Sequence, residues 1–464
     1  MEPKILLLQE KEILVDEILK LRKENEELRR KNEAIIKELE NLKEKHSPST
    51  HKYPDTTKKR SKPPSQWGRK AGHPGCTRPV PDHIDREVEQ TLKRCPDCSG
   101  HLSASVGVVE HIQEDIVPSR VEVTKFKRHR YWCKKCEKVV DAPYAPGEVP
   151  CGYLGPLALT QMALLKYHHV LPGNKIVKLF EVFCGLKVSE GAVAQALQRM
   201  AKWLEVETGV LKEAIRASAY VHVDETGWKI NGTSHWLWAF ANQKLAVYKI
   251  DRSRGSKVPI GILGNPFPGI LISDFYSAYN KMKCRQQKCL VHLLREMREC
   301  RGKDPPEDYR VPSKKLKRIL SDAHRLEAQH GQMPSLDFVR KVRRIKGRLF
   351  LFATTPYSNK DWQRLSGRFL KHEKKMLTFL DFPGLPSNNN HAERMIRPHV
   401  ILRNRSFHNR TMNGAIAHGV LTSILQSLML QGKSLIPSFS QAYLAHRQGN
   451  PKPILFSNPP ASIG

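Results

Sequence analysis

The sequence predicts a multidomain α/β protein. Its parts in order are an N-terminal coiled coil, a zinc ribbon, a helical domain of helix-turn-helix pattern, and a mixed sheet with a helical insertion. Three observations carry this reading. An apolar seven-residue repeat fills 5–45. Two C-x-x-C pairs follow, Cys95/Cys98 and Cys133/Cys136. From 217 onward, apolar runs of strand length alternate with helical periodicity. A chain of 464 residues exceeds what one hydrophobic core organises, so two or more domains are expected.

The charge balance narrows the partners. Lys and Arg number 78 against 46 Asp and Glu, a net charge of +32. That excess exceeds what solubility requires and points to a polyanion, double-stranded DNA foremost. The competing reading is a basic proteome background with basic tails. No basic amphipathic helix stands out, so no membrane partner is expected. No apolar run reaches the ~20 residues that span a bilayer. Charged Glu10, Lys11 and Glu12 come too early for a signal peptide. A cytoplasmic location with reduced thiols is expected, which favours metal over disulfides at the paired cysteines.

Residues 1–46 form the coiled-coil candidate. Leu7, Leu14, Leu21, Leu28, Ile35 and Leu42 recur at seven-residue steps. Ile18, Asn25, Asn32 and Leu39 form the second seam, where a buried Asn fixes register and strand number. Self-association into a homo-oligomer follows; a solitary amphipathic helix is the alternative. Residues 47–85 lack hydrophobic periodicity and read as a basic flexible linker. Within it, Arg69 and Lys70 are candidate phosphate or minor-groove contacts, set against a plainly solvated linker.

Residues 86–145 carry the paired cysteines. Four thiolates, from Cys95, Cys98, Cys133 and Cys136, close a tetrahedral structural Zn2+ site. The separation of the pairs (residues 99–132) exceeds the usual ribbon spacing of about 15–20. An extended hairpin of Val108–Val117 and Arg120–Trp132, turning at Pro118-Ser119, accounts for the excess. A redox pair is the alternative, but no thioredoxin-like strand–helix unit surrounds either motif. Residues 146–216 read as three helices: Gly155–His169, Asn174–Phe183 closed by Gly185, and one capped by Ser189 running from Glu190 toward Ala217. If helix, turn and helix bind DNA, then Gln195, Gln198 and Arg199 present side chains suited to base edges. A plain helical spacer is the competing reading.

Residues 217–400 hold the candidate chemistry. Strands are expected at Ala219–Asp224, His235–Ala241, Leu245–Ile250, 269–273 and 287–292, with helices near 253–262 and 275–282. A helical insertion covers about 301–386. Ligands of such sheets collect at strand carboxyl ends, where Asp224 and Asp274 fall. Glu225 points to the other face, because successive strand residues alternate. In the helix near 388–397, Asn389, Glu393 and Arg397 share one face, and Ala392 and Ile396 form an apolar stripe. Arg397 is expected to orient Glu393 or touch a phosphate, and Pro398 to end the helix. Three carboxylates suit two hard divalent cations, Mg2+ or Mn2+, about 4 Å apart, that clamp the oxygens of a phosphoryl transfer. His292 is either a near-site residue or an ordinary core histidine. Trp228, Trp236 and Trp238 read as core. An apolar helix at Gly414–Gln431 lies in the C-terminal helical tail, 401–464.

The motifs VHVDETGW (221–228), ILISDFYSAY (270–279), CLVHLLRE (289–296) and NNNHAERMIRP (388–398) resemble, together, the transposases of the insertion sequence 66 family. The likeness extends to the coiled N-terminus, the GRKAGHPG turn and the paired cysteines. It implies a ribonuclease-H-like domain with an Asp-Asp-Glu triad at Asp224, Asp274 and Glu393. It also implies magnesium, cleavage and rejoining of a mobile element at its terminal inverted repeats, small accessory transposition proteins, and a prokaryotic, nucleoid-associated location. The alternative is a non-catalytic dimeric zinc-containing DNA-binding regulator, which leaves the three carboxylates without a use. A ribonuclease-H-like nuclease for RNA–DNA hybrids has no evident use for a zipper.

Overall fold

The computed structural model describes Glu26, Glu27, Arg30, and residues 83–94, 96–101, 103–104, 108, 113, 120–301, 305–406 and 408–456. Apart from Glu26, Glu27 and Arg30, which are helical and exposed, the expected coiled coil lies outside the described residues. So do Arg69, Lys70, Cys95 and the turn expected at Pro118-Ser119. The chain divides into two compact units, 1–116 and 117–464. In the first, a bridge pairs Arg94 with His101 around the turn that carries Cys98.

In the second unit, β1 (Arg130–Cys133) pairs antiparallel with β2 (Lys138–Asp141). This hairpin turns at the Cys133-x-x-Cys136 knuckle itself, and residues 120–129 form no strand. Asp141 holds it closed by accepting from Arg130 Nε at 2.8 Å and Arg128 Nη2 at 3.4 Å. The expected long strand Arg120–Trp132 is therefore realised only at its end.

Three helices follow. Pro156 opens α1 (Pro156–Ala163), a position where its missing N–H costs nothing. The helix continues as a π-helical turn over Leu164–His168. Next, α2 (Gly173–Cys184) ends at Gly185. Ser189 starts α3 (Glu190–Arg216) by accepting from the Ala192 N–H at 3.1 Å.

The sheet comprises β3 (Tyr220–Ile230), β4 (Thr233–Ala241), β5 (Ala246–Asp251), β6 (Ile270–Ser273) and β7 (Arg285–Lys288), in the order β5-β4-β3-β6-β7. The first three form an antiparallel meander, while β6 and β7 run parallel to β3. A short helix, α4 (Lys257–Leu263), connects β5 to β6, and a 3₁₀ turn at Ser277–Lys281 stands where a helix was expected. The last strand ends earlier than expected. The Cys289 N–H reaches back to the Ser273 carbonyl at 2.9 Å, and α5 (Leu290–Arg301) begins at once. His292 is therefore helical.

Alternation along the strands sends side chains to three buried clusters, one of which gathers Trp228, Ile230, Leu237 and Tyr248 with Ile396. Val221, Val223, Trp238, Phe240, Val247 and Leu271 join the buried faces of α1–α4 in a second. Ile270 and Ile272 join α5 and the insertion helices α6 (Glu307–Glu327), α7 (Ser335–Thr354) and α8 (Lys360–Met376) in the third. The helices of 156–216 thus share a core with the sheet. So do the C-terminal helices α10 (Met412–Leu430) and α11 (Leu435–Arg447).

The edge strand β5 is covered by α10. Ser423 and Ser427 hydroxyls accept from the Tyr248 and Ala246 N–H groups at 2.8 and 2.9 Å. Gly419, one turn earlier, lets the helix approach: a Cβ there would sit 3.0 Å from the Tyr248 carbonyl oxygen. Between insertion and edge helix lies α9 (Asn390–Ser406), which keeps Pro398 within it rather than ending there. Buried Ala392, Ile396, His399 and Leu402 continue on both sides of the proline, and that packing outweighs the lost backbone hydrogen bond.

Candidate active site

Strand register places the first two carboxylates. His222 is the partner of Ile272 where β3 and β6 run parallel. Two residues on, Asp224 keeps the His222 face of β3 by alternation, and Asp274 follows directly on β6, where its charge reaches Asp224. Asp224 lies within β3, which continues to Ile230, whereas Asp274 follows the last residue of β6. Antiparallel pairing of β3 with β4 carries the longer strand past the end of β6.

Asn389, fully buried, brings α9 over this face. Its side-chain amide donates to the Val223 carbonyl at 2.9 Å, and its backbone N–H reaches the Cys289 sulfur at 3.1 Å. Because that amide donates, its Oδ1 accepts, and His222 Nδ1 carries the proton of the 3.1 Å contact between them. The first turn of α9 then sets Glu393 close enough for its charge to act on Asp224. Burial, and then the charges of Glu225, Asp274 and Glu393, push the Asp224 carboxyl well above its usual range. Oε1 of Glu393 is buried without a hydrogen-bond partner. The nearest group, His292 Nε2, stands 3.4 Å away, and Arg295 Nη2 is 3.7 Å from the other oxygen. Mutually repelling, incompletely paired carboxylates fit a divalent cation, which takes oxygen ligands and removes the repulsion.

Arg397 does not take the expected place beside Glu393; it is exposed. His292 and Arg295 of α5 occupy that place instead. This helix is braced by the insertion: Glu296 pairs with Arg364 and Arg368 of α8, and Tyr309 donates to the Met297 carbonyl. Lys288, fully buried, donates to the Asp274 carbonyl at 2.8 Å and the Ser273 hydroxyl at 3.0 Å. Burial lowers this ammonium to about 8. Glu225 faces the opposite side of β3, where it accepts from Tyr279 and Arg254.

The other candidates are dispersed. Gln195 and Arg199 are exposed on α3, and Gln198 is half-buried beside them. Cys133 and Cys136 meet at the β1–β2 turn. N–H groups of Cys136 and Lys135, with the Cys136 thiol, lower the Cys133 thiol below its usual range, which suits a thiolate ligand. Among the described residues, which omit Cys95, no three His, Cys, Asp or Glu side chains are gathered closely enough to hold a metal ion, at the cysteine knuckle or at the carboxylates. Trp228 and Trp238 are core, as expected, while Trp236 is partly open.

A five-stranded mixed sheet flanked by helices, with Asp224 within β3 and Asp274 just after the parallel β6, is consistent with the ribonuclease-H-like class of DNA-cutting enzymes. The family is specific. Residues 152–417 match the model of the IS66 family of transposases, and residues 93–137 match the zinc-finger binding domain of transposase IS66. The chain belongs to the IS66 transposase family, and is a DDE transposase, an enzyme of DNA cleavage and strand transfer. It is 25% identical over 392 residues to the uncharacterized protein y4jD of Sinorhizobium fredii, covering 76% of this chain and 75% of that one. A second uncharacterized protein of that organism, y4qI, is 22% identical over 408 residues, covering 80% and 74%. No helix among the described residues is long and apolar enough to cross a membrane.

Proposed function

We propose that Asp224, Asp274 and Glu393 are the carboxylates that bind the divalent metal of this transposase, and that the reaction occurs at the inverted-repeat ends of a mobile element. The observation that supports the reading is that Asp224 of β3, Asp274 directly after the neighbouring parallel β6, and Glu393 of α9 are close enough for the last two charges to raise the Asp224 carboxyl. Bound Mg2+ or Mn2+ supplies charge neutralisation at the scissile phosphate and activation of the attacking water or 3′-hydroxyl. The chain's own residues prepare for this. Asn389 fixes the distance between α9 and β3. His292 and Arg295 hold Glu393 from the α5 side, and Arg295 also offers a cation to a phosphate oxygen. Lys288 anchors the main chain at Asp274 from below.

The zinc ribbon is assigned to Cys95, Cys98, Cys133 and Cys136; the family match over 93–137 and the lowered Cys133 thiol support it. Arg69, Lys70, Gln195, Gln198 and Arg199 are assigned to DNA, and the N-terminal heptads to homo-oligomerisation. Small accessory proteins are expected partners in the cell.

A donor-plasmid transposition assay tests the triad, with element ends and accessory proteins supplied. Wild type is expected to jump. Asp274→Asn is expected to lose far more than the roughly 10–100-fold that removal of an outer-shell partner costs, at unchanged DNA binding. Equal jumping by the two would remove Asp274 from the mechanism.

A further inference from the structure

The connection from β5 into the first residue of α4 reads Arg252-Ser253-Arg254-Gly255-Ser256-Lys257, a basic run. Arg254 is held there in an unusual way. Its guanidinium lies between two aromatic rings, 4.3 Å from the centroid of Trp236 and 4.2 Å from that of Tyr276. Its Nε donates to Glu225 Oε1 at 3.1 Å, and Nη2 stands 3.1 Å from the same oxygen. Glu225 is itself 2% exposed and takes a further hydrogen bond from the Tyr279 hydroxyl. Ring, carboxylate and ring therefore fix the plane of a side chain that is nonetheless 40% exposed.

Both supports touch the active-site strands. Glu225 follows Asp224 on β3. Tyr276 donates its backbone N–H to the Asp274 carboxylate at 2.9 Å. The remaining N–H donors of Arg254 are open to solvent, where a ligand can reach them. A buried carboxylate and two rings pre-orient a flat fork of donors, the geometry that matches phosphate oxygens. Fixing a cation before binding also lowers the entropy lost on contact.

We propose that Arg254 is a DNA-phosphate contact flanking the cleavage site, with Glu225, Trp236 and Tyr276 as its positioning residues. The proposal rests on the carboxylate site assigned above. Arg254 lies with Glu225 across β3 from Asp224 and is linked to the site through Tyr276, whose N–H reaches Asp274. DNA that follows the Asp274 edge of the sheet places a backbone phosphate against the open edge of the guanidinium. Arg252 and Lys257, both exposed, extend the same positive rim.

The test is DNA binding by the full chain without divalent metal, so that it does not depend on the triad being catalytic. Labelled duplexes carrying the element end, or an arbitrary sequence, are titrated at several salt concentrations. Wild type, Arg254→Gln and Arg254→Lys are compared, and melting temperatures are recorded. Loss of one phosphate contact lowers the slope of log K against log salt by about 1 on both duplexes. That fall is expected for Arg254→Gln, with partial recovery in Arg254→Lys, which keeps the charge but not the planar fork. An unchanged slope in Arg254→Gln would overturn the proposal and reduce Arg254 to a support for Glu225. Should Arg254→Gln melt early, wild type is titrated with duplexes carrying single neutral methylphosphonates near the cleavage site. One position must then weaken wild type and leave Arg254→Lys less affected; a uniform response at all positions would also overturn it. Asp274→Asn should bind with the wild-type slope, so failure of the triad and failure of this contact are read separately.

Discussion

Asn389 shows how little slack the site has. One buried side-chain amide spans the Val223 carbonyl and His222, while the backbone N–H of the same residue reaches the Cys289 sulfur. Asn389→Ala would leave the first two buried without partners, a loss of about 1–3 kcal/mol in urea unfolding, with transposition falling while DNA binding persists. Part of this centre was legible in the residues themselves. Carboxylates after apolar runs, and the four-residue spacing of Asn389 and Glu393, were visible as patterns. The partners of Glu393 were not. Cys289–His292 has strand-like apolar content, and reading it as a strand put His292 and Arg295 out of phase. On a helix they lie one turn apart and reach one carboxylate together. Only the end of β6, which leaves β7 nothing to pair with beyond Lys288, decides between the two.

At the scale of elements, the junction of α9 with α10 makes a pH prediction. His399 and His418 are fully buried and share a 2.9 Å hydrogen bond. Burial lowers His399 to about 3, and burial together with its neighbour holds His418 well below its usual range. Both are neutral when folded, yet the unfolded chain binds their protons below about 6.5. Stability is therefore full above that pH and is lost as pH falls toward 3, by up to about 1.4 kcal/mol per pH unit for each histidine. The double variant His399→Leu/His418→Leu should flatten the acid limb of a melting-temperature profile. His418→Leu alone leaves His399 unpaired and should destabilise at neutral pH.

The same helix covers the sheet edge, so Ser423→Ala/Ser427→Ala exposes two β5 N–H groups to an apolar surface. A loss of about 1–3 kcal/mol per group is expected in the urea midpoint. The apolar character of 414–431 was evident in the sequence. Its role was not, because the residues that matter are the small polar ones, and nothing local says which strand they meet. Pro398 misled in the opposite way: a local rule predicted a stop, and long-range burial on both sides of the proline overrode it.

For the whole molecule, the cysteine pairs and the alternating elements were readable because each has its own signature in the sequence. The fusion of the helical segments with the sheet was not. Helices 156–216 and the C-terminal helices read as separate pieces, yet they fill one core with the sheet, a matter of contacts distant in sequence. If the heptads assemble the enzyme, Leu14→Pro/Leu28→Pro should sediment as a single chain and fail to bring two element ends together, while each chain still binds DNA.

The placement of the third carboxylate has a consequence for synthesis on the ribosome. Asp224 and Asp274 emerge early, whereas Glu393 waits until the entire insertion has been made and has folded against α5. At roughly 5–20 residues per second, that delay is on the order of ten seconds. During it the growing chain already carries its basic linker, cysteine pairs and three-helix segment. If the assigned triad is the catalytic one, a chain released before α9 is made would be able to bind DNA and unable to cut it.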